Sequence, residues 1–303
     1  MPAQTSPQQR TFIDAHGVTI HFYAWRVENP RAENPRAIVQ LEHGIGEYAL
    51  RYQQLADRLN DAGYAVYADD HRGHGATGME QTHGDHSKLG RLGPGGLRAV
   101  VVDVQQLTGI IAAENPGVPI VLLGHSLGSL LAQKVINRDS GSYAAAVLTG
   151  TAYRMPGSME AGDLNKRHKH LGTTGHEWLS RDPAVPAAFA ADPLTFDADI
   201  LKLFGIADSL RLFGRPARRL PNDLPLLIQI GSDDSLGGEA SVLRLAESYL
   251  HRSGLSDIQA IVYPGARHEV FNETNRAEVM DDLVQWLNSR FPSPGTSSPT
   301  RRL

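Results

Sequence analysis

Short apolar runs alternate with longer amphipathic stretches along most of this chain. Residues 11–15 and 18–25, on either side of His16-Gly17, read as two strands of an antiparallel hairpin, since strand-like runs flanking a Gly turn pair with each other. The run AIVQL at 37–41 is apolar without strict alternation, as expected of a strand buried on both faces. The runs at 64–68, 120–123, 144–148, 226–230 and 258–263 read the same way. Helical spacing separates them. Leu50, Leu55 and Leu59 share a face of a helix predicted over 48–62, and Val101, Val104, Leu107 and Ile111 share a face of one over 97–113. Further helices are predicted over 127–137, 241–251 and 274–289. Strands spaced by helices predict an α/β fold, a mostly parallel sheet with helices on both faces.

Residues 151–222 break this rhythm. They hold a basic run (Lys166, Arg167, His168, Lys169, His170) and prolines at 156, 183, 186, 193 and 216, with no convincing strand. Because strands resume at 226, the segment is expected to be a lid inserted over the carboxyl ends of the strands, where open α/β sheets bind ligands. The expected organisation is a core of 11–150, a cap of 151–222 and the rest of the core at 223–292. Residues 1–10 and 293–303, rich in Pro, Ser, Thr and Gln, read as poorly ordered termini.

Composition narrows the class. The 303 residues are 41% hydrophobic and 20% charged, enough for a packed core. Asp and Glu number 33 against 29 Lys and Arg, a net charge of −4 that argues against a general nucleic-acid binder. There is no cysteine, which excludes disulfides, thiol chemistry and Cys-ligated metal centres. The opening MPAQTSPQQR has no apolar stretch, and no window approaches the roughly 18 apolar residues of a spanning helix. A cytoplasmic protein without a transmembrane segment is expected.

The strongest chemical signal is Gly124-His125-Ser126-Leu127-Gly128, which follows the strand IVLL and opens an amphipathic helix. A G-x-S-x-G turn in that setting holds its serine hydroxyl exposed above the sheet, whereas the same pattern elsewhere is often an inert Gly turn. The first helical amide, that of Leu127, would face a developing oxyanion. A serine nucleophile needs a base, and the base an orienting acid. Asp233 and Asp234 follow the strand LLIQI, and His268 follows the strand IQAIVY. The order Ser, Asp, His fits an α/β-hydrolase, and spacing alone leaves both aspartates open. His125 is a poor base, because its side chain leaves the turn in another direction. His43-Gly44-Ile45-Gly46 follows AIVQL, where a second oxyanion amide, that of Ile45, belongs.

Taken with HGIGEYALRY (43–52), DDHRGHGATG (69–78), GHSLGS (124–129), GSDDSL (231–236), YPGARHEVFNE (263–273) and LSRDPAVPAAFAADPL (179–194), the chain resembles capped α/β-hydrolases of the monoacylglycerol lipase/lysophospholipase-like (serine aminopeptidase S33-type) group. The resemblance runs from about 11 to 291. It implies Ser126 as nucleophile, His268 as base, Asp234 rather than Asp233 as acid, and the Ile45 and Leu127 amides as oxyanion hole. It implies ester hydrolysis through an acyl-enzyme, with a small-molecule ester as partner and no cofactor, and it allows peripheral membrane contact through the cap. Two features depart from the group's pattern: Tyr48 stands where His is frequent, and the cap carries the basic run together with Arg215, Arg218 and Arg219. Those cations make anionic substrates, such as monoesters of aromatic diacids, an alternative to monoglycerides. Lactones, amides and a non-catalytic receptor are further alternatives on this scaffold. The histidines and aspartates of 69–75 and 83–86 suggest a metal site less than a structural turn, and no metal is expected. Trp178, Phe189, Phe196, Phe204 and Phe213 are expected to pack mainly inside the cap.

Overall fold

A computed structural model describes residues 6–27, 34–160 and 162–292. Residues 1–5 and the tail 293–303 therefore lie outside the described residues. The strands are β1 (Gln8–Ile13), β2 (Thr19–Trp25), β3 (Ile38–Glu42), β4 (Ala65–Asp69), β5 (Ile120–His125), β6 (Ala145–Thr149), β7 (Leu226–Gly231) and β8 (Ile258–Tyr263). They form one sheet in the order β1-β2-β4-β3-β5-β6-β7-β8. The pairs β1–β2 and β2–β4 are antiparallel, and all pairs from β4 through β3 to β8 are parallel.

Helices α1 (Gln53–Asp61) and α8 (Arg276–Arg290) cover one face of the sheet, and α3 (Gly96–Glu114), α4 (Leu127–Asp139) and α7 (Gly238–Ser248) cover the other. Neighbours within a strand serve opposite cores. Leu122 packs with Val104 and Leu131, while Val121 and Leu123 pack with Leu59 and Leu283. Burial on both sides is why these strands read as unbroken apolar runs, each enclosed Leu or Val contributing about 1.5–3 kcal/mol.

β1 begins at Gln8, inside the stretch read as a loose terminus, because Gln8–Arg10 pair with Ala24–Phe22 across the hairpin. The helix expected over 48–62 divides into a 3₁₀ turn, Ala49–Tyr52, followed by α1. The helix α2 (Gly75–Gln81) was not expected, since GATGMEQ shows no apolar periodicity. Asp70 sets its start by accepting a hydrogen bond from the Ala76 amide at 2.7 Å. α3 is 19 residues long and apolar enough to cross a bilayer by composition, contrary to the sequence reading. Its apolar face lies in the core, and its buried Asp103 accepts a 2.6 Å hydrogen bond from Arg72 Nε.

Between β6 and β7 the described residues hold two helices, α5 (Ala184–Ala191) and α6 (Ile200–Leu212), and no strand. The expected cap falls in this segment, and Gly205 at φ 71° breaks α6 in its middle. The loops after β3, β5, β7 and β8 and the cap after β6 all open at the carboxyl edge of the parallel strands.

Candidate active site

Ser126 joins β5 to α4 with φ 52° and ψ −120°, a conformation that costs a non-glycine residue about 1–3 kcal/mol. Hydrogen bonds offset this: the Ser126 amide donates to Thr149 O at 3.0 Å, and its carbonyl accepts from the Ser129 and Leu130 amides at 2.9 and 3.1 Å. The flanking glycines are steric necessities. A Cβ on Gly124 would sit 2.5 Å from the Gly128 carbonyl oxygen, and one on Gly128 would overlap the Glu42 backbone.

His268 Nδ1 donates to Asp234, with Oδ2 at 3.0 Å and Oδ1 at 3.1 Å, and both side chains are buried. His268 Nε2 is buried without a hydrogen-bond partner among the described residues. Burial opposes charge on this ring, but the carboxylates of Asp234, Glu269 and Glu47 outweigh it and raise its pKa above 6.5. Asp233, the neighbouring candidate, turns outward to Arg167. The two aspartates left open by spacing are thus separated by environment, and only Asp234 meets the histidine. His125, 4.8 Å from the His268 ring between centroids, is pushed down to about 3 by burial and by the charge of His268, and so stays neutral.

The loop after β3 is held from several directions. The Gly44 amide donates to Glu47 Oε1 at 2.7 Å, and the Gly44 carbonyl accepts from His43 Nδ1 at 2.6 Å. Neither the Ile45 nor the Leu127 amide meets a backbone acceptor among the described residues. Arg51 bridges Glu47 at 2.6 Å and Glu269 at 2.9 Å beneath the loop, and its guanidinium lies 4.9 Å from the Phe189 ring centre of the cap. Burial works against the charge of Glu269, but Arg51 holds it below the ordinary carboxylate range. Burial raises Glu47, and the attraction of Arg51 only partly opposes that. Tyr48 donates to the cap's Asp192 at 2.7 Å, and the Phe196 amide donates to Gly46 O at 3.1 Å. The cap is therefore fastened to this loop.

Ser126, His125 and His268 line a cavity of about 430 Å³ between core and cap, along with Asp163, Asp197 and Asp199. A second lobe of about 220 Å³ meets it at Ile45 and Ser126 and is lined by Leu130, Met159, Ile200, Leu212 and Leu236. One side of Ser126 is thus polar and acidic, and the other apolar.

The basic run falls elsewhere. Lys166, Arg167 and Lys169 are exposed and line neither lobe. Among the aromatics, Trp178, Phe189 and Phe196 line the polar lobe, Phe213 the apolar one, and Phe204 packs in the main core with Leu97 and Leu212. The expectation of packing inside the cap holds for Trp178 and Phe189, which cluster there with Leu179, and is corrected for Phe204. Trp178 stands 4.6 Å from the His268 ring between centroids. The sequence reading gave no role to that tilted ring contact or to the Glu47–Arg51–Glu269 network. The signal was present, because Glu47 closes HGIGE and Glu269 directly follows His268.

Of the histidines and aspartates weighed for metal binding, Asp69 and His71 gather with Glu42, all buried, with ligand atoms within 4.8 Å of one another. His71 donates from Nδ1 to Asp69 Oδ2 at 3.0 Å and from Nε2 to His43 O at 3.2 Å. Burial opposes its charge, yet Asp69 and Glu42 raise its pKa to about 9. Within the cluster, protonated His71 and Asp69 form a buried ion pair at 3.0 Å.

The family model described as serine aminopeptidase, S33, matches residues 33–275. The chain belongs to this family. It is 33% identical to a monoacylglycerol lipase of Mycolicibacterium smegmatis, over 93% of this chain and 98% of that protein. It is 27% identical to human monoglyceride lipase, over 99% of this chain and 100% of that protein. A thermostable carboxyl esterase from Bacillus coagulans shares the fold with a TM-score of 0.81 at 24% identity, covering 94% of this chain and 99% of the esterase. A monoglyceride lipase from Saccharomyces cerevisiae shares it at 0.73 and 20% identity, covering 96% and 97%. Both likenesses agree with the α/β-hydrolase architecture described above.

Proposed function

We propose that this protein hydrolyses monoacylglycerol-like esters through an acyl-enzyme on Ser126, with His268 as base and Asp234 as its orienting acid. Membership of the family and full-length similarity to monoacylglycerol lipases make it a carboxylic ester hydrolase. The observation that carries the finer reading is the Asp234–His268 hydrogen bond, which leaves Nε2 unpaired at the cavity that Ser126 also lines. Nε2 takes the Ser126 proton as Oγ attacks the ester carbonyl. Asp234 fixes the tautomer and stabilises the imidazolium. The Ile45 and Leu127 amides receive the oxyanion. His268 then protonates the leaving alcohol, and water activated by the same ring releases the acid.

The two lobes fit an ester of unlike halves. An acyl chain suits the apolar lobe around Leu130, Met159 and Leu212. A hydroxyl-bearing alcohol suits the polar lobe, whose Asp163, Asp197 and Asp199 accept hydrogen bonds and repel an anion. This favours neutral esters over the monoesters of aromatic diacids. A panel of monoacylglycerols, graded p-nitrophenyl esters, lysophospholipids, aryl monoesters and aminoacyl anilides tests it. The highest kcat/KM is expected with neutral monoacyl esters. Turnover confined to anilides would replace ester hydrolysis by peptidase chemistry.

A further inference from the structure

Away from the ester cavity, a cleft of about 420 Å³ opens between α3, α4 and the chain that leaves α6. Its cations are Arg98, Lys134, Arg138, Arg154, Arg211 and Arg215, and no Asp or Glu lines it. Arg211 is paired with Asp208 at 2.6 Å. The other five have no ion-pair partner among the described residues. This concentration is local, because the chain as a whole is acidic at −4.

Arg154 is 1% exposed, so its charge is buried with no carboxylate beside it. Its Nε donates to Gln133 at 3.0 Å and its Nη1 to Leu212 O at 2.8 Å. Lys134 Nζ donates to Arg211 O at 2.7 Å. Both cations thus meet the carboxyl end of α6, where positive charge is favourable. That explains two of them and leaves the convergence of Arg98, Arg138 and Arg215 on the same cleft without a structural purpose. Crowded cations repel, and Lys134 shows it: burial and the charges of Arg154, Arg138 and Arg211 push its pKa down to about 8. A bound anion relieves both the repulsion and the uncompensated charge of Arg154.

We propose that this cleft is a second binding site, for a phosphoryl group carried by a small phosphomonoester or by a phospholipid headgroup. Guanidinium forks match the several oxygens of a phosphate, and a carboxylate would engage only part of this set. The volume exceeds that of bare phosphate and leaves room for the group's substituent. Phe213 lines both this cleft and the apolar lobe beside Ser126, so an occupant would touch the wall of the proposed acyl site.

The test uses the full chain. Thermal midpoints are measured with inorganic phosphate, with glycerol phosphate and with sodium chloride at matched ionic strength. Sedimentation is measured with phosphatidylcholine vesicles, with and without phosphatidylglycerol. Stabilisation by phosphate or glycerol phosphate beyond that by chloride assigns a soluble ligand. Binding only to the phosphatidylglycerol vesicles assigns a headgroup. In either case the double variant Arg98→Gln, Arg215→Gln should weaken the response at least about tenfold while short-ester turnover without phosphate stays at the wild-type level. A response to neither source, or an equal response in the double variant, overturns the proposal.

Discussion

His43 Nδ1 donates a 2.6 Å hydrogen bond to the carbonyl oxygen of Gly44, the residue whose peptide link carries the Ile45 amide. A trans peptide points its C=O and N–H in opposite directions. Fixing the Gly44 oxygen toward the buried His43 therefore turns the Ile45 N–H away from it, toward the cavity that Ile45 and Ser126 share. His43 is itself aimed, since its Nε2 accepts from the His71 amide at 3.0 Å. Burial and the nearby His71 charge hold its pKa well below the usual histidine value, so it is neutral with the proton on Nδ1.

His43→Ala should accordingly lower kcat by about 10²-fold with little change in KM, the mark of a lost oxyanion donor. His43→Asn, whose amide can also donate to Gly44 O, should recover part of that loss. Steady-state kinetics beside a circular dichroism check of the fold measure this. A rise in KM at constant kcat would assign His43 to substrate binding instead.

Asp234→Asn should cost on the order of 10⁴ in kcat by presenting His268 with the wrong hydrogen-bonding partner. Asp233→Asn weakens a contact with the exposed Arg167, a kind of pair worth about 1 kcal/mol or less, and one with the buried His168 at 3.7 Å, neither of which reaches His268, and should leave kcat near wild type. Reversed effects would mean that the carboxylate facing His268 is not the working acid.

The base must be neutral to accept the Ser126 proton, so kcat/KM should fall as pH drops through the His268 pKa. Burial tends to lower that pKa, and Asp234, Glu269 and Glu47 raise it above 6.5, which places the acid limb above that of a free histidine. Removing the charge of Asp234 lowers it, so the residual activity of Asp234→Asn should keep its limb to a more acidic pH. His125, neutral down to about 3, should contribute no limb. A pH profile unmoved by Asp234→Asn would detach the limb from His268.

Met159→Trp should shift acyl preference toward shorter chains by filling the apolar lobe. Phe204→Ala should lower stability by up to about 3–5 kcal/mol without changing chain-length preference, because Phe204 packs in the main core. Neutralising Lys166, Arg167 and Lys169 should leave the KM ratio of anionic to neutral esters unchanged, since none of them lines the cavity. Graded p-nitrophenyl esters and thermal melts measure all three.

The serine turn was legible because G-x-S-x-G after a strand is dictated locally: the backbone at Ser126 and the tight passage of Gly128 past Glu42 permit few other residues. The parallel sheet was legible from apolar runs that need burial on both faces. Choosing between Asp233 and Asp234 was not possible by spacing, since the deciding partners, Arg167 and His268, come from distant loops. Trp178 against His268 and Arg154 within the basic cleft were hidden for the same reason. A lone aromatic or arginine in an irregular segment carries no period, and its surroundings are set by how the cap folds back.

The central claim is that Ser126 is the nucleophile, and active-site labelling with a fluorophosphonate followed by peptide mass spectrometry measures it most directly. A single adduct on Ser126 is expected in the wild-type chain. Ser126→Ala should take up no label and lose at least about 10³–10⁴-fold in kcat while melting near the wild-type temperature. Labelling at another serine, or wild-type turnover by Ser126→Ala, would contradict the account.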